Sequence, residues 1–330
     1  MNELKRDWGI SYTRVMAVFM ILICHLGTYY ASGFVAELFV IGVEIFFCIS
    51  GYLSNHKENY SYGKWIIKRI WRLFLPIFVF SLLIVIIIKM FCNNVSLDGM
   101  INCSFGIYGF NKLYPNFNMT GFDGFTHLWF ITVIMICYII VPFIDKLEEK
   151  FGWIGAIVVL LVVQSIFSIF DIRINYITVF FIGYFMKRYV AEISSIKWVI
   201  VYNAILIFAF LLRIFSHLYF DDTWFYLQFI IPVTNGIEAI IILMDVRSFI
   251  NKFANKMPGF LKSIIKHLES IAYEVYLVHY IFIEGFLNVF IFKNFEIINV
   301  IIFLVVSFLT AEVLHFICNI IIGLTSKNNK

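Results

Sequence analysis

The sequence predicts an all-α membrane protein that crosses the bilayer about ten times, with both termini in the cytoplasm. Of the 330 residues, 62% are hydrophobic and only 14% are charged, whereas soluble domains average about 45–50% apolar and about 25% charged residues. A window of about 19 residues also finds repeated apolar runs long enough to span a bilayer. Because one water-surrounded core cannot bury such an excess, the chain is expected to be a polytopic membrane protein.

The predicted spans are apolar runs separated by short polar segments. They lie near 11–31, 33–54, 70–91, 127–147, 152–170, 174–190, 197–216, 224–244, 270–291 and 297–322. We expect residues 1–330 to form a single membrane-embedded domain with no appended soluble domain. The long segment 93–126 is expected to be a lid or a disordered loop, and the basic segment 247–269 a connector that faces lipid head groups.

The distribution of Lys and Arg predicts the orientation of the spans. With the N-terminus in the cytoplasm, 19 of the 25 basic residues fall on the cytoplasmic side and five on the opposite side, and Arg14 lies within the first span. Cytoplasmic loops of membrane proteins carry such an excess. The bias alternates only if the number of spans is even, so both termini are predicted to be cytoplasmic.

The first two spans contain the candidate active site, because three ionisable residues interrupt their apolar runs. Arg14 and His25 are eleven positions apart, so they are predicted to share one helix face about 16 Å apart along the axis. Glu44 lies in the middle of the second span, where a carboxyl group must be protonated or paired. We expect His25 or Arg14 to be its partner, although a hydrogen bond that only packs the helices also fits.

The third span begins with a basic pair. Arg69 and Arg72 are three positions apart and share a helix face, so their guanidinium groups suit a phosphate-bearing ligand that enters from the cytoplasm. The same residues also fit a simple positive-inside anchor. Arg14 lies near the same membrane boundary, and together with this basic pair it makes a phosphate-binding site plausible.

Further polar residues lie in later spans, and several spans are therefore expected to converge on a polar interior. His127 and Trp129 begin the fourth span, His279 lies in the ninth, and Glu312 lies near the middle of the tenth. Trp129 also suits an ordinary aromatic belt. The other acids in apolar runs are Glu238, Glu274 and Glu284.

Two other kinds of site are not predicted. None of the seven histidines has the ligand spacing of a metal site, and no basic tract suggests nucleic acid. Of the six cysteines, only Cys92 and Cys103 flank a loop, and they would pair if that loop faced an oxidising space.

Taken in order, these motifs resemble a known family. The set comprises Arg14 with ten residues to His25, the segment GVEIFFCISGY around Glu44, Arg69 and Arg72 followed by Pro76, HLWF from His127, and YLVH ending at His279. This ordered set is similar to the acyltransferase-3 family of bacterial ten-helix membrane acyltransferases. Each motif is weak alone, and the resemblance extends from about residue 11 to the last span.

The resemblance implies transfer of an acyl group, commonly acetyl from acetyl-CoA, to a hydroxyl group of a surface carbohydrate. It implies that His25 is the catalytic histidine, that Arg14 is its companion, and that Arg69 and Arg72 lie on the donor side. Glu312 stands where members often carry a glutamate, but the proline that frequently follows is absent. Glu44 stands where aspartate is usual.

We therefore predict a bacterial inner-membrane O-acyltransferase with acyl-CoA as donor, a lipid-linked or polymeric glycan as acceptor and no permanently bound cofactor. Arg14, Arg69 and Arg72 would bind the donor, and His25, Glu44 and Glu312 would be catalytic. His127, Trp129 and His279 would bind the acceptor. His25 acts either as general base or as acyl carrier. A proton-coupled transporter or exporter and a non-catalytic acyl-CoA sensor are the alternatives.

Overall fold

The fold consists of α-helices throughout the part of the chain that is described. This computed structural model describes residues 6–30, 32–54, 61–91, 96–108, 122, 124–168, 175–189, 196–220, 230–292 and 296–327. Within them the helices are α1 (Trp8–Tyr29), α2 (Gly33–Phe39), α3 (Gly42–Ser54), α4 (Tyr62–Phe91), α5 (Leu97–Ser104), α6 (Trp129–Ser168), α7 (Asn175–Tyr189), α8 (Ile196–Phe220), α9 (Ile231–Phe253), α10 (Gly259–Val278) and α11 (Glu296–Lys327). The predicted all-α class is confirmed.

Six helical segments among the described residues are long and apolar enough to cross a membrane. They are Trp8–Tyr29, Gly33–Ser54, Tyr62–Met90, Thr126–Val163, Ile200–Phe220 and Glu296–Leu324. Length and composition thus support a membrane protein, whereas the total of ten spans and the orientation of the termini stay predictions.

The helices differ from the predicted spans at two places. The second span is divided into α2 and α3. The fourth and fifth spans are joined within α6, where Gly152, with a φ of 70°, interrupts the helical backbone at the predicted start of the fifth span. The ninth span ends as an α-helix at Val278 and continues as the 3-10 turn His279–Phe282, after which Gly285 packs against Gly124 with no room for a side chain between them.

Two predicted connecting segments contain helix. The basic segment 247–269 is not only a connector, because α9 continues through Phe253 and α10 begins at Gly259. Its lysines alternate with apolar residues at helical spacing, which accounts for the extension. In the segment 93–126, α5 is capped by Ser96, whose hydroxyl accepts from the Gly99 amide at 3.1 Å. Residues 109–121 and Cys92 lie outside the described part, and so does any Cys92 pairing.

The chain divides into two compact units. The first unit contains Met1–Asn59 and Ile139–Glu269, and the second contains Tyr60–Tyr138 and Ser270–Lys330. The boundary falls within α6 and within α10. The expectation of a single domain stays a prediction.

In the first unit, α3 packs closely against α7 through two glycines. A Cβ atom on Gly51 would lie 1.8 Å from the carbonyl oxygen of Phe180, and one on Gly183 would lie 2.2 Å from that of Cys48. Small residues allow membrane helices to bring their backbones together in this way. Gly42 similarly leaves space for the carbonyl oxygen of Ala17 in α1, so α3 is held between α1 and α7.

In the second unit, α4 packs against α5 and α11. Aromatic rings fill the space around the start of α6, where Phe80 stacks on Phe125 with 5.5 Å between ring centroids. The Thr132 hydroxyl donates to the carbonyl oxygen of Gly106 at 2.6 Å. These contacts hold the start of α6. His127 lies in the 3-10 turn Thr126–Leu128 just before the helix, and Trp129 is its first residue.

Candidate active site

All nine predicted site residues lie in the described part of the chain. Three of them, Arg14, His25 and Glu44, belong to the first unit. The other six belong to the second unit: Arg69, Arg72, His127, Trp129, His279 and Glu312. We describe each unit by itself, and the convergence of all nine residues stays a prediction.

Helix α1 carries both Arg14 and His25 without interruption, so the predicted separation of about three turns is confirmed. Its first turn is fixed by Asp7, which caps the helix by accepting from the Ile10 amide at 3.1 Å. The same carboxylate accepts from Arg247 at 2.7 Å and from Asn251 at 2.7 Å, both in α9. The N-terminus of α1 is therefore attached to the end of α9.

Arg14 is bound to a carboxylate of α10. Its Nη1 donates to Oε1 of Glu269 at 2.6 Å, and Arg6 bonds the other oxygen of the same carboxylate. The Arg14 side chain is 27% exposed, so it lies at a partly open position. One acid thus faces two guanidinium groups, and the cluster retains a positive charge suited to an anionic ligand.

Glu44 is buried in α3 and bonds Asn235 of α9. Asn235 Nδ2 donates to Glu44 Oε1 at 2.8 Å. Asn235 is 0% exposed and Glu44 is 2% exposed. The expectation that His25 or Arg14 would be its hydrogen-bond partner was wrong, because the partner among the described residues is this amide. Arg14 instead bonds Glu269 of α10.

A buried ion-pair cluster lies beside Glu44, and we call Arg213, Glu238 and Glu37 the arginine cluster. Arg213 in α8 is completely buried and binds Glu238 in α9 with both prongs of its fork, Nε to Oε1 and Nη2 to Oε2, each at 3.0 Å. Its Nη1 lies 3.1 Å from Oε2 of Glu37 in α2. Glu44 is close enough to feel the charges of Arg213 and Glu238. Charged side chains are costly inside a membrane unless they are paired. In the arginine cluster, Arg213 is paired with both acids.

His25 lies next to this polar region along α1. Its neighbour Cys24 interacts electrostatically with Glu44, Glu37 and Arg213, and His25 itself is half-buried. The α1 turn that contains Cys24 therefore adjoins a buried acid and a buried ion pair, and His25 is the next residue along that turn.

In the second unit, the rings of His127 and His279 lie together. Their rings meet edge to face with centroids 5.1 Å apart, and both residues are buried. His127 Nε2 donates to the carbonyl oxygen of Leu277 at 3.1 Å, and His279 Nδ1 donates to that of Tyr276 at 2.8 Å. Because a carbonyl oxygen only accepts, these nitrogens carry the protons. The pair thereby ties the start of α6 to the end of α10, and half-buried Trp129 follows on α6.

Glu312 adjoins a pair that sequence reasoning did not place in the site. His315 Nδ1 lies 2.8 Å from Oε1 of buried Glu274, and Glu312 interacts electrostatically with Glu274. A carboxylate on one ring nitrogen orients the imidazole and directs the other nitrogen outward. The last span thus contributes an imidazole–carboxylate pair as well as Glu312.

The basic pair on α4 has two different environments. Arg69 is half-buried and lies over the rings of Trp65 and Tyr138, 5.6 Å and 5.9 Å from their centroids. Arg72 is exposed. Stacking on aromatic faces attracts and orders a guanidinium group. The two rings therefore fix the position of Arg69 on α4.

Comparison with known proteins decides the family. The model of the acyltransferase-3 domain matches residues 7–315, nearly the whole chain. The chain belongs to the acyltransferase-3 family. No curated protein and no solved structure gives a significant match. Family and apolar helices together make this chain a membrane acyltransferase.

Within this acyltransferase, the sequence analysis missed Asn235, Arg213 and Glu269 as site residues. Asn235 and Glu238 interrupt the apolar run of α9, and Arg213 interrupts that of α8. An arginine and an acid inside neighbouring spans indicate a buried pair, so this signal was present for Arg213. Nothing in the sequence identifies the acid that Arg14 binds.

The described residues of this acyltransferase contain no group of three or more His, Cys, Asp or Glu side chains arranged to hold a metal ion. The absence of a metal in the reaction stays a prediction. The roles of the nine site residues likewise stay predictions.

Proposed function

We propose that this acyltransferase moves an acyl group, acetyl by expectation, from acyl-CoA to a hydroxyl group of a surface polysaccharide or glycolipid in the bacterial inner membrane. The observation that carries the proposal is the buried polar network of the first unit. Glu44 and the arginine cluster lie close to Cys24, the residue before His25 on α1, in a chain that belongs to the acyltransferase-3 family.

The donor would bind through positive charge at the cytoplasmic ends of the spans. Arg14 shares its carboxylate with Arg6, so that group retains net positive charge. Arg69 lies over two aromatic rings, and Arg72 is exposed. Guanidinium groups of this kind suit the phosphates of CoA, which bind them in a two-pronged geometry.

The transfer would use His25 as its central group. Acting as base, His25 would remove the proton of the acceptor hydroxyl while the carbon–sulfur bond of the thioester breaks and the thiolate leaves. Acting as carrier, it would first take the acyl group itself. Glu44 and Glu312 would act as acids within the spans, and His127, Trp129 and His279 would form part of the path of the acceptor.

The experiment that tests the proposal is mass spectrometry of surface glycans from a deletion strain. The strain is complemented with wild type, with His25→Ala or with His267→Ala, which removes an exposed histidine of the same unit. We expect wild type and His267→Ala to restore one acyl-sized mass and His25→Ala to leave it absent at normal protein level. A general base typically contributes about 10²–10⁴-fold in rate.

Purified protein distinguishes the alternatives. Turnover of acyl-CoA by wild type supports an enzyme. A carrier would show no turnover, and a sensor would bind acyl-CoA tightly without consuming it. Either result, together with an unchanged glycan mass, would reject the proposed function.

A further inference from the structure

Glu44 and Asn235 form a buried pair that is only half satisfied. Their mutual hydrogen bond uses Glu44 Oε1 and Asn235 Nδ2. The other two oxygens, Glu44 Oε2 and Asn235 Oδ1, are buried and have no hydrogen-bond partner among the described residues. Buried polar atoms in proteins are nearly always hydrogen-bonded. Here two such oxygens without a partner lie on side chains that are hydrogen-bonded to each other, which indicates that a further group binds there.

The neighbouring arginine does not supply the missing partner. Arg213 directs Nε and Nη2 to Glu238, and Nη1 to the side chain and main chain of Glu37. Its fork is thus used within the arginine cluster, and it affects Glu44 only through its field. The missing partner has to come from outside this set of side chains.

The chemistry of the two oxygens selects the type of ligand. An amide oxygen only accepts hydrogen bonds, whereas a carboxyl oxygen accepts when ionised and donates when protonated. A hydroxyl group has one proton to donate and also accepts, so with Glu44 protonated it accepts from Oε2 and donates to Asn235 Oδ1. An ammonium group only donates and would fit the ionised state alone, and a phosphate or carboxylate would face acceptors of its own kind.

We propose that Glu44 Oε2 and Asn235 Oδ1 together bind the hydroxyl group of the acyl acceptor, and we call this pair the hydroxyl site. The proposal rests on the proposed function and adds a binding position to it. Its location agrees with transfer, because Cys24, adjacent to His25, lies within the electrostatic reach of Glu44. Asn235 therefore contacts the acceptor and also orients Glu44.

The test compares transfer with donor binding in membrane vesicles from the deletion strain, which hold the endogenous acceptor. Vesicles with wild type or a variant receive labelled acetyl-CoA, and label in glycan or lipid is measured over a range of donor concentrations. Asn235→Leu removes the amide at similar volume. Thr234→Val is the matched control, because Thr234 is equally buried and bonds the Ile230 carbonyl oxygen of its own helix at 2.8 Å.

We expect Asn235→Leu to lower transfer by about tenfold or more, as loss of a buried hydrogen bond to a substrate does, with an unchanged half-saturating donor concentration. Thr234→Val should transfer like wild type. If Asn235→Leu reduces the amount of protein, Glu44→Met replaces it, since that variant has a similar length and loses the Oε2 group that would bond the hydroxyl.

Transfer by the Asn235→Leu or Glu44→Met variant within twofold of the Thr234→Val control would overturn the hydroxyl site and would leave only water as its occupant. A parallel loss of donor affinity would also overturn it, since the pair would then be structural. Absence of transfer by wild type would instead reject the proposed function, so the two failures are distinct.

Discussion

Arg14 and Glu269 are joined by a 2.6 Å hydrogen bond between Nη1 and Oε1, although 255 positions separate them in the chain. The same carboxylate bonds Arg6. Its position is the one that an anionic donor group would occupy if Arg14 binds phosphate. If Arg14 binds the donor, Glu269 would therefore compete with the donor phosphate for the Arg14 guanidinium group.

This relationship predicts the effect of Glu269→Gln on donor binding. Removing the carboxylate charge frees Arg14 and Arg6, so acyl-CoA should bind about two- to fivefold more tightly, the range expected for a partly exposed ion pair. The measurement is equilibrium binding of labelled acetyl-CoA to purified protein at low salt. Glu149→Gln removes an exposed acid elsewhere in the first unit and should not change affinity. Weaker binding by Glu269→Gln would mean that the acid positions Arg14 instead.

A second prediction concerns the basic pair on α4. Arg69→Ala combined with Arg72→Ala should weaken acyl-CoA binding and make the remaining affinity less sensitive to salt, because fewer charges then contact phosphate. The same binding assay at several salt concentrations measures both effects. Lys252→Ala with Lys266→Ala removes two exposed charges and should have little influence. Equal affinity of all three proteins would identify the pair as a membrane anchor.

The arginine cluster leads to a prediction about stability. Arg213→Met leaves Glu238 and Glu37 buried without their cation, and loss of one partner of a buried pair costs about 3–5 kcal/mol. We expect a large decrease in the thermal unfolding midpoint in detergent. Arg247→Met, which breaks a pair whose side chains are 25% and 30% exposed, should cost about 1 kcal/mol or less. If the two variants unfold at the same temperature, the cluster contributes no more than a surface pair.

The contact between α3 and α7 provides a fourth prediction. Gly51→Ala places a Cβ atom 1.8 Å from the Phe180 carbonyl oxygen, so the helices must separate and the variant should unfold at a lower temperature. Gly323→Ala adds the same methyl group in α11, where nothing lies within 4 Å. That control should be neutral or slightly stabilising, since alanine is the better helix former by about 1 kcal/mol. A Gly51→Ala midpoint equal to that of wild type would show that this contact is looser than described.

Periodicity and hydropathy were sufficient for the parts of the fold that depend on a single segment. The eleven-residue interval from Arg14 to His25 requires only one unbroken helix, and α1 provides it. The end of α10 at Val278 was not predicted, because the apolar run continues past it and the break depends on packing between Gly124 and Gly285. Apolar composition alone does not distinguish a helix from the turns that follow it.

The partners of the site residues were beyond sequence reasoning, because they depend on how distant segments meet. Glu44 was expected to pair with a histidine or an arginine, whereas its partner is the amide of Asn235, 191 positions later. An asparagine in an apolar run carries no charge signal that would match it to an acid. The proximity of His127 and His279, by contrast, agrees with the expectation that their spans contribute to one site.

The glycine contact between α3 and α7 also limits which helices are able to move. Because backbone atoms meet directly at Gly51 and Gly183, sliding α3 along α7 would drive carbonyl oxygens into α-carbons, and the two helices behave as one rigid body. Glu44 belongs to that body, and Asn235 bonds it from α9. We therefore expect a molecule that reaches Glu44 to shift a neighbouring helix such as α9 rather than to separate α3 from α7.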